Sequence, residues 1–97
     1  MFAVIFRAQI KALDEEYEST ALQLRDLAME HYGCVDFVSH SDGEREIAVS
    51  YWQSEAAITA WRADPVHRAA QQRGKERWYS RYSVEVVRVE RAYSSET

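Results

Sequence analysis

The sequence predicts an α+β domain in which helices cover one face of a four-stranded antiparallel sheet. Four segments are rich in β-branched and aromatic residues or alternate between apolar and polar side chains, as strands do. Helix-capping residues precede helical segments between the first and second strands and between the third and fourth. The order β-α-β-β-α-β is that of the ferredoxin-like fold, and the length suits one domain over residues 1–97.

The first strand and helix are predicted from residues 2–33. Residues 2–10 carry apolar side chains at both odd and even positions, which is typical of a strand covered on both faces. Asp14 can cap the following helix, whose first turn is acidic and whose apolar residues recur at helical spacing. Gly33 is placed to end that helix in the left-handed conformation, where a residue without a Cβ is favoured.

Two strands and a short helix are predicted next. Residues 34–40 form the second strand, and the Ser-Asp-Gly sequence at 41–43 is typical of a tight turn. Residues 44–52 return as the third strand, with side chains alternating between two faces. Ser54 can cap a short helix that runs to about Ala63.

The C-terminal third begins with a clear helix start. Asp64 can act as the cap and Pro65 as the first helical residue, where its missing N–H is not needed. That helix is expected to run to Trp78. Residues 82–93 then alternate as a long final strand, and residues 94–97 are expected to be a loose tail.

Composition and charge exclude several classes of protein. The formal net charge of −4 argues against a nucleic-acid partner. No apolar run could span a membrane, and the opening segment reads poorly as a signal peptide. A single cysteine, Cys34, permits no internal disulfide, so we expect a cytoplasmic protein. No metal ligand set with zinc spacing and no phosphate-binding glycine loop is present.

The charge is spread unevenly along the chain. Residues 1–61 carry four basic and eleven acidic side chains, whereas residues 62–97 carry eight basic and five acidic ones. This asymmetry could serve subunit association or attract an anionic ligand. The alternative is that both groups of charged side chains lie on ordinary solvent-exposed surfaces and serve no particular partner.

The two-sided strands predict a homodimer. Ile5 and Arg7 share one face of the first strand, and Val4 and Phe6 share the other. Because the helices of this fold cover only one face, the other face needs a partner. A second copy of the same sheet would provide it and would also protect the edge strands.

A stripe on the third helix is the main candidate site. Five residues recur at helical spacing there: His67, Ala70, Gln71, Gly74 and Trp78. The small residues leave a groove between rings, and Trp61 approaches it from the preceding helix. This arrangement predicts a cavity for a flat ligand. The alternative is that these aromatic residues only pack the core, and that the arginines nearby form solvated helix faces.

The second half of the chain resembles the antibiotic biosynthesis monooxygenase (ABM) domain family. The shared pattern is a strand ending in Trp52, a helix capped by Ser54, Trp61 nine residues after the first tryptophan, a break, and a helix of small residues. The resemblance implies a homodimer whose sheets face each other as a dimeric α+β barrel. It also implies one cavity per subunit, lined by Trp61.

The family resemblance implies three candidate functions. In haem-degrading members a histidine ligates iron at the position of Gln71, and His67 lies one turn earlier, so this function is disfavoured. In the monooxygenases no metal or prosthetic group is needed, and a phenolic or quinol substrate reacts with O2 directly. The third candidate, from another class, is a dimeric module that binds a small aromatic ligand without catalysis.

The monooxygenase reading assigns roles to six residues. Trp61 and Trp78 would flank the ring, Arg7 would lie beside the oxyanion, and His67 would relay the proton. Gln71 and Tyr51 are further candidates for substrate binding. No metal site and no cofactor are expected.

Overall fold

The computed structural model describes residues 1–96. Its regular elements, in chain order, are β1 (Phe2–Ile10), α1 (Glu15–His31), β2 (Asp36–Ser41), β3 (Arg45–Trp52), α2 (Glu55–Ala63), α3 (Pro65–Arg73), a π-helical turn (Gly74–Trp78) and β4 (Tyr79–Arg88). The four strands form one antiparallel sheet in the order β2-β3-β1-β4. The predicted fold class, a ferredoxin-like α+β sheet, is confirmed.

The predicted helix starts, and the end of α1 before Gly33, agree with the structure. The Asp14 carboxylate accepts a hydrogen bond from the backbone N–H of Glu16 at the start of α1. Gly33 follows the end of α1 with φ +73°, in the left-handed region. Ser54 caps α2, and Asp64 caps α3 by accepting from the N–H of Val66. These local signals predict helix ends well because each one satisfies backbone groups that would otherwise lack partners.

Two strands, β2 and β4, differ by two or more residues from their predicted boundaries. β2 begins at Asp36 rather than at residue 34. β4 spans Tyr79–Arg88 rather than 82–93. The physical reason at β4 is pairing, since Phe2 is the first residue of β1 and lies opposite Arg88. Beyond that pair only the N–H of Val89 finds a partner, the carbonyl of Met1, at 3.0 Å.

The C-terminal segment 89–96 has no regular secondary structure. Tyr93, which the alternating pattern placed inside the last strand, is 87% exposed. The predicted tail at 94–97 includes Thr97, which lies outside the described residues. An alternating sequence therefore needs a neighbouring strand before it becomes part of a sheet.

The two faces of the sheet differ sharply. Phe2 and Val4 belong to or pack against the core under the helices, on what we call the covered face. Ile5 and Arg7 lie on the opposite, open face, as their alternation predicts. Seven apolar residues share the open face: Ala3, Ile5, Val38, Ile47, Val49, Tyr51 and Val87. Nothing in residues 1–96 forms a second layer over them.

The helix after Asp64 changes character before it reaches β4. α3 ends at Arg73 and continues as a π-helical turn to Trp78. A π-turn accommodates an extra residue, which rotates the side chains that follow. The stripe from His67 to Trp78 still faces the interior, with Gln71 half-buried among buried neighbours. No helix within residues 1–96 is long and apolar enough to cross a bilayer.

Candidate functional site

Trp61 lies in the aromatic core at one end of α1. Its side chain is 6% exposed, and its Nε1–H donates to the carbonyl oxygen of Leu24 at 3.2 Å. Its ring packs against Trp52, with centroids 5.1 Å apart, and against Phe37 at 6.1 Å. Trp61 therefore joins α2 to α1 and to two strands, and most of its surface is used in packing.

His67 packs edge-on against Trp61, with ring centroids 4.3 Å apart. The side chain is 8% exposed, and its Nδ1 is buried without a hydrogen-bond partner in the described residues. Burial lowers the pKa of His67 to about 4, and the positive charge of Arg62 adds to the shift. The imidazole is therefore neutral at physiological pH, which does not favour the proton-relay role predicted for it.

A short hydrogen bond joins the end of α1 to the junction between α2 and α3. Tyr32 donates its hydroxyl to Oδ2 of Asp64 at 2.6 Å. This bond lowers the pKa of Asp64, and the N–H of Val66 lowers it further. The same bond raises the pKa of Tyr32. The junction that carries Trp61 and His67 on either side is thereby tied to α1.

A cavity of about 370 Å³ opens between α2, α3 and the edge strand β4. Ile58 and Val86 give it apolar walls, and Arg62 and Gln71 place polar groups around them. Glu55, Thr59 and Ala63 complete the lining. Within residues 1–96 Arg62 has no carboxylate within 4.0 Å. The cavity thus combines apolar surface with a guanidinium that has no ion-pair partner.

The predicted site residues do not all meet at this cavity. Gln71 lines it directly. Trp61 and His67 belong to the same helices but lie in the core and are not part of the lining. The positive charge of Arg62 contributes, after burial, to the lowered pKa of His67. The structure therefore groups Gln71 with Arg62 at the surface of the cavity and Trp61 with His67 beside it.

Trp78 lies at the other end of α1, away from the cavity. Its Nε1–H donates to Oδ1 of Asp14 at 2.9 Å, and its ring meets Tyr17 edge-on at 5.3 Å. Since the Trp61 indole bonds Leu24 and the Trp78 indole bonds Asp14, the two contacts are ten residues apart, about 15 Å along a helix. Neither Trp61 nor Trp78 lines the cavity in the single chain, so the structure does not bring them together around one ring, and their role in substrate binding stays a prediction.

The expected groove over the small residues of α3 is also filled. A Cβ placed on Gly74 would come within 3.0 Å of the Tyr79 ring. That ring packs in turn against Phe6, with centroids 5.4 Å apart. Gly74 therefore allows close packing of the π-turn on an aromatic side chain rather than opening space for a ligand.

Arg7 and Tyr51 lie on the open face of the sheet. Arg7 donates to Glu85 at 3.1 Å, and its pairing partner on β3 is Ile47. Tyr51 pairs with Ala3 on the same face. Both side chains are on the opposite side of the sheet from His67. Within one chain, Arg7 and His67 therefore do not share a site.

Most of the residues around the cavity were not among the predicted ones. Four of them recur along one face of α2: Glu55, Ile58, Thr59 and Arg62. Their spacing of i, i+3, i+4 and i+7 was visible in the sequence and would have identified this face. Val86 could not have been assigned, because its approach to α2 depends on the crossover that brings β4 to the edge of the sheet.

The residues do not fit a haem ligated by histidine. Gln71 stands at the cavity, and a carboxamide is a poor iron ligand. His67 has one enclosed ring nitrogen and does not line the cavity. Within residues 1–96 no three His, Cys, Asp or Glu side chains are grouped as a metal site.

Comparison with known proteins agrees with the fold. YqjZ of Bacillus subtilis (strain 168), an uncharacterised protein, is 40% identical over 92 residues, covering 93% of this chain and 80% of that protein. SnoaB of Streptomyces nogalater, a cofactor-independent oxygenase, superposes with a TM-score of 0.79 at 11% identity over 97% of each chain. Rv0793 of Mycobacterium tuberculosis gives a TM-score of 0.72 at 17% identity, covering 96% of this chain and 98% of the other.

The sequence model of the family named antibiotic biosynthesis monooxygenase matches residues 1–73. These residues include β1 to α3, and therefore α2 and the lining part of α3. The match extends over most of the chain and agrees with the pattern of Trp52, Ser54 and Trp61. The chain therefore belongs to the antibiotic biosynthesis monooxygenase family.

Proposed function

We propose that this protein is a cofactor-independent monooxygenase that oxidises a small phenolic or quinol compound with O2. The observation that carries the proposal is the cavity of about 370 Å³ with apolar walls and the unpaired guanidinium of Arg62 at its edge. This volume lies at the small end of the range for ligand sites, about 300–1,000 Å³, and suits a compound of one to three rings. Membership of the family and the likeness to SnoaB support the reaction class.

The reaction places simple demands on the site. A phenol with a free ring position loses its O–H and C–H hydrogens, one oxygen atom becomes the new carbonyl, and the other leaves with both hydrogens as water. The phenol gives four electrons, and O2 accepts all four. The phenolate is the form that reduces O2, so the site must hold a negative oxygen. Arg62 can stabilise that oxygen, the role that the sequence had suggested for Arg7.

Gln71 and the apolar walls would orient the ring. The side-chain amide of Gln71 can donate to a phenolate or carbonyl oxygen and accept from a hydroxyl. Ile58 and Val86 can contact the ring faces. His67, neutral and beside Arg62, would stay in the core and hold Trp61 and α2 in place. A bound phenolate would also partly offset the effect of Arg62 on the imidazole.

Oxygen uptake tests this proposal. Purified protein is mixed with a panel of naphthols and hydroquinones, and O2 consumption is measured together with quinone formation. We expect turnover that falls at least tenfold in Arg62→Gln, the loss expected for a hydrogen bond to a charged group. Arg68→Gln changes the charge equally on the exposed side of α3 and should leave the rate unchanged. Equal rates in all three proteins would contradict the proposed site.

A binding module without turnover is the second candidate. One observation favours it: the histidine nearest the cavity has a pKa of about 4, so it is a weak base for removing a phenolic proton. Such a module would bind the same naphthols, with affinity lowered by Arg62→Gln, and would consume no O2. Turnover separates the two candidates, since only the monooxygenase couples quinone formation to oxygen uptake.

The proposed functional unit is a homodimer with open faces in contact. The open face carries seven apolar residues and no covering layer in the described chain, and large apolar patches usually mark interfaces. Ile47, in the same row as Arg7 on this face, is 42% exposed. Sedimentation should therefore show a dimer at micromolar concentration and a shift to monomer for Ile47→Asp. A monomeric wild-type protein would contradict the dimer without affecting the test of the cavity.

A further inference from the structure

The cavity between α2, α3 and β4 carries two opposite charges, of which the proposed oxidation uses one. Of the seven residues that line it, only Glu55 and Arg62 are charged. Arg62 holds the phenolate in the proposed reaction, and Glu55 has no part in it. A carboxylate in the wall of a ligand cavity favours some ligands over others through attraction and repulsion.

Helix periodicity places the two charges on one face of α2, at opposite ends of that helix. Glu55 is its first residue, and Arg62 lies about two turns later, so their Cα atoms are about 10 Å apart along the axis. Ile58, which is 3% exposed, lies between them on the same face. This wall of the cavity therefore runs from a carboxylate, through an apolar centre, to a guanidinium.

Neither charge is neutralised by an ion pair within the described chain. Among residues 1–96, no ion pair within 4.0 Å includes Glu55 or Arg62. Glu55 is not the cap of α2 either, because the Ser54 hydroxyl accepts from the N–H of Ala57 at 3.1 Å. A ligand that enters the cavity therefore meets a carboxylate that is free to bind a cation.

The cavity lies on the covered side of the sheet. Val86, its wall on β4, pairs with Val4, which belongs to the core under the helices. Val86 is also 41% exposed, so the cavity opens to solvent at the edge of β4. Contact between the open faces in the proposed homodimer would take place on the other side of each sheet.

We propose that Glu55 makes this cavity selective for phenols that carry a positively charged amino group at the end opposite to their hydroxyl. The inference rests on the proposed function, because it takes the phenolate oxygen to lie beside Arg62. The far end of a two-ring compound held there extends towards the first turn of α2, where an ammonium group can donate to the Glu55 carboxylate. A carboxylate at the same end of the ligand would be repelled.

Titration calorimetry with three naphthols that share one ring system tests the selectivity. The probes are 6-(aminomethyl)-2-naphthol, 6-(hydroxymethyl)-2-naphthol and 6-hydroxy-2-naphthoic acid, whose far groups near neutral pH are a cation, a neutral hydroxyl and an anion. We expect the wild-type protein to bind the amine most tightly and the acid most weakly. In Glu55→Gln the amine should bind about fivefold more weakly, the alcohol equally well and the acid more tightly. The factor is modest because Glu55 is exposed, and an exposed ion pair stays partly solvated.

Glu15→Gln is the matched control, because Glu15 is the exposed first residue of α1, as Glu55 is of α2. Both carboxylates also stabilise their helices through the dipole, so both variants should lose similar stability. Only Glu55→Gln should change the order of the three affinities. An unchanged preference for the amine in Glu55→Gln, or the same change in Glu15→Gln, would overturn the selectivity. Equal binding of the amine and the alcohol by the wild-type protein would overturn it as well.

Oxygen uptake with the same three naphthols separates this inference from the proposed function. If the preference for the amine depends on Glu55 but no compound consumes O2, the selectivity holds for a binding module and the monooxygenase proposal fails. If the compounds are oxidised at rates that depend on Arg62 while their affinities do not depend on Glu55, the proposed function holds and the selectivity fails.

Discussion

The two ends of α1 each hold a buried tryptophan, and the contrast between them locates the candidate site. At the Asp14 end, the Trp78 indole N–H bonds Asp14 and its ring contacts Tyr17, Arg73 and Arg77, although the buried Nε of Arg73 has no partner in the described residues. At the Leu24 end, Trp61 is packed equally tightly, yet the neighbouring His67 keeps a buried nitrogen without a partner. Only the second end adjoins a cavity with an unpaired guanidinium. Because each end keeps one buried nitrogen without a partner, the cavity and the guanidinium of Arg62 distinguish the candidate site, not the aromatic rings or a lone buried polar atom.

The largest expected effects come from truncating either tryptophan. Trp61→Ala and Trp78→Ala should each lower the free energy of unfolding by about 3–5 kcal/mol, because both rings are almost fully buried. Although the sequence predicted that Trp61 lines a cavity, its ring packs against Trp52 and Phe37, so its truncation should cost as much as that of Trp78. Urea unfolding followed by circular dichroism measures both values. A loss of about 1 kcal/mol for Trp61→Ala would show that its ring faces empty space.

The next largest expected effect is a pH dependence of the folding stability, caused by His67, which packs against Trp61. The folded-state pKa of His67, about 4, is below its ordinary value of 6.5, so the unfolded chain binds the proton more readily. The stability due to the neutral imidazole is complete above pH 6.5 and is lost as the pH falls towards 4. The full difference corresponds to about 3 kcal/mol.

Unfolding measurements between pH 7.5 and 4 in wild type, His67→Gln and His40→Gln test this pH dependence. His67→Gln should flatten the decline between pH 6.5 and 4, while His40→Gln, on an exposed strand position, should keep it. A decline that persists unchanged in His67→Gln would mean that another group causes it.

The sequence predicted local features, such as helix starts, better than it predicted contacts between distant segments, and the reason is physical. Caps such as Asp14, Ser54 and Asp64 depend on bonds within a few residues, so the helix starts followed from local sequence. The face of α2 that lines the cavity could also be recognised in the sequence, because its residues are spaced i, i+3, i+4 and i+7. Local patterns could not show that Arg7 and His67 would lie on opposite sides of the sheet, or that the helix would change to a π-turn before Trp78. Both depend on contacts between distant segments.

A smaller loss of stability is expected from substitution of Asp14, whose carboxylate bonds the indole of Trp78 and not that of Trp61. Asp14→Ala removes the N-cap of α1 and leaves the Trp78 indole N–H without an acceptor. Loss of the cap together with a buried donor should cost about 2 kcal/mol. The equivalent acceptor for Trp61 is the backbone carbonyl of Leu24, which no substitution removes. Asp14→Asn keeps an acceptor oxygen and should recover more than half of the loss. Equal destabilisation by Ala and Asn would show that the carboxylate charge matters more than the hydrogen bond.

The smallest expected loss of stability comes from Gly74→Ala, which tests whether close packing around Tyr79 leaves no room for a cavity beside Trp78. A Cβ at Gly74 would lie 3.0 Å from two ring carbons of Tyr79, and that ring is held by Phe6 and Tyr17 and cannot move freely. Gly74→Ala should therefore destabilise the protein by about 1 kcal/mol, at the low end of overpacking costs because alanine also favours the helical backbone. The matched background is Tyr79→Leu, where the same substitution meets a smaller, more adaptable side chain and should become neutral or stabilising. A double-mutant cycle from urea unfolding gives the coupling between the two positions. Zero coupling would show that the ring does not restrict this turn, and that some other feature requires glycine at position 74.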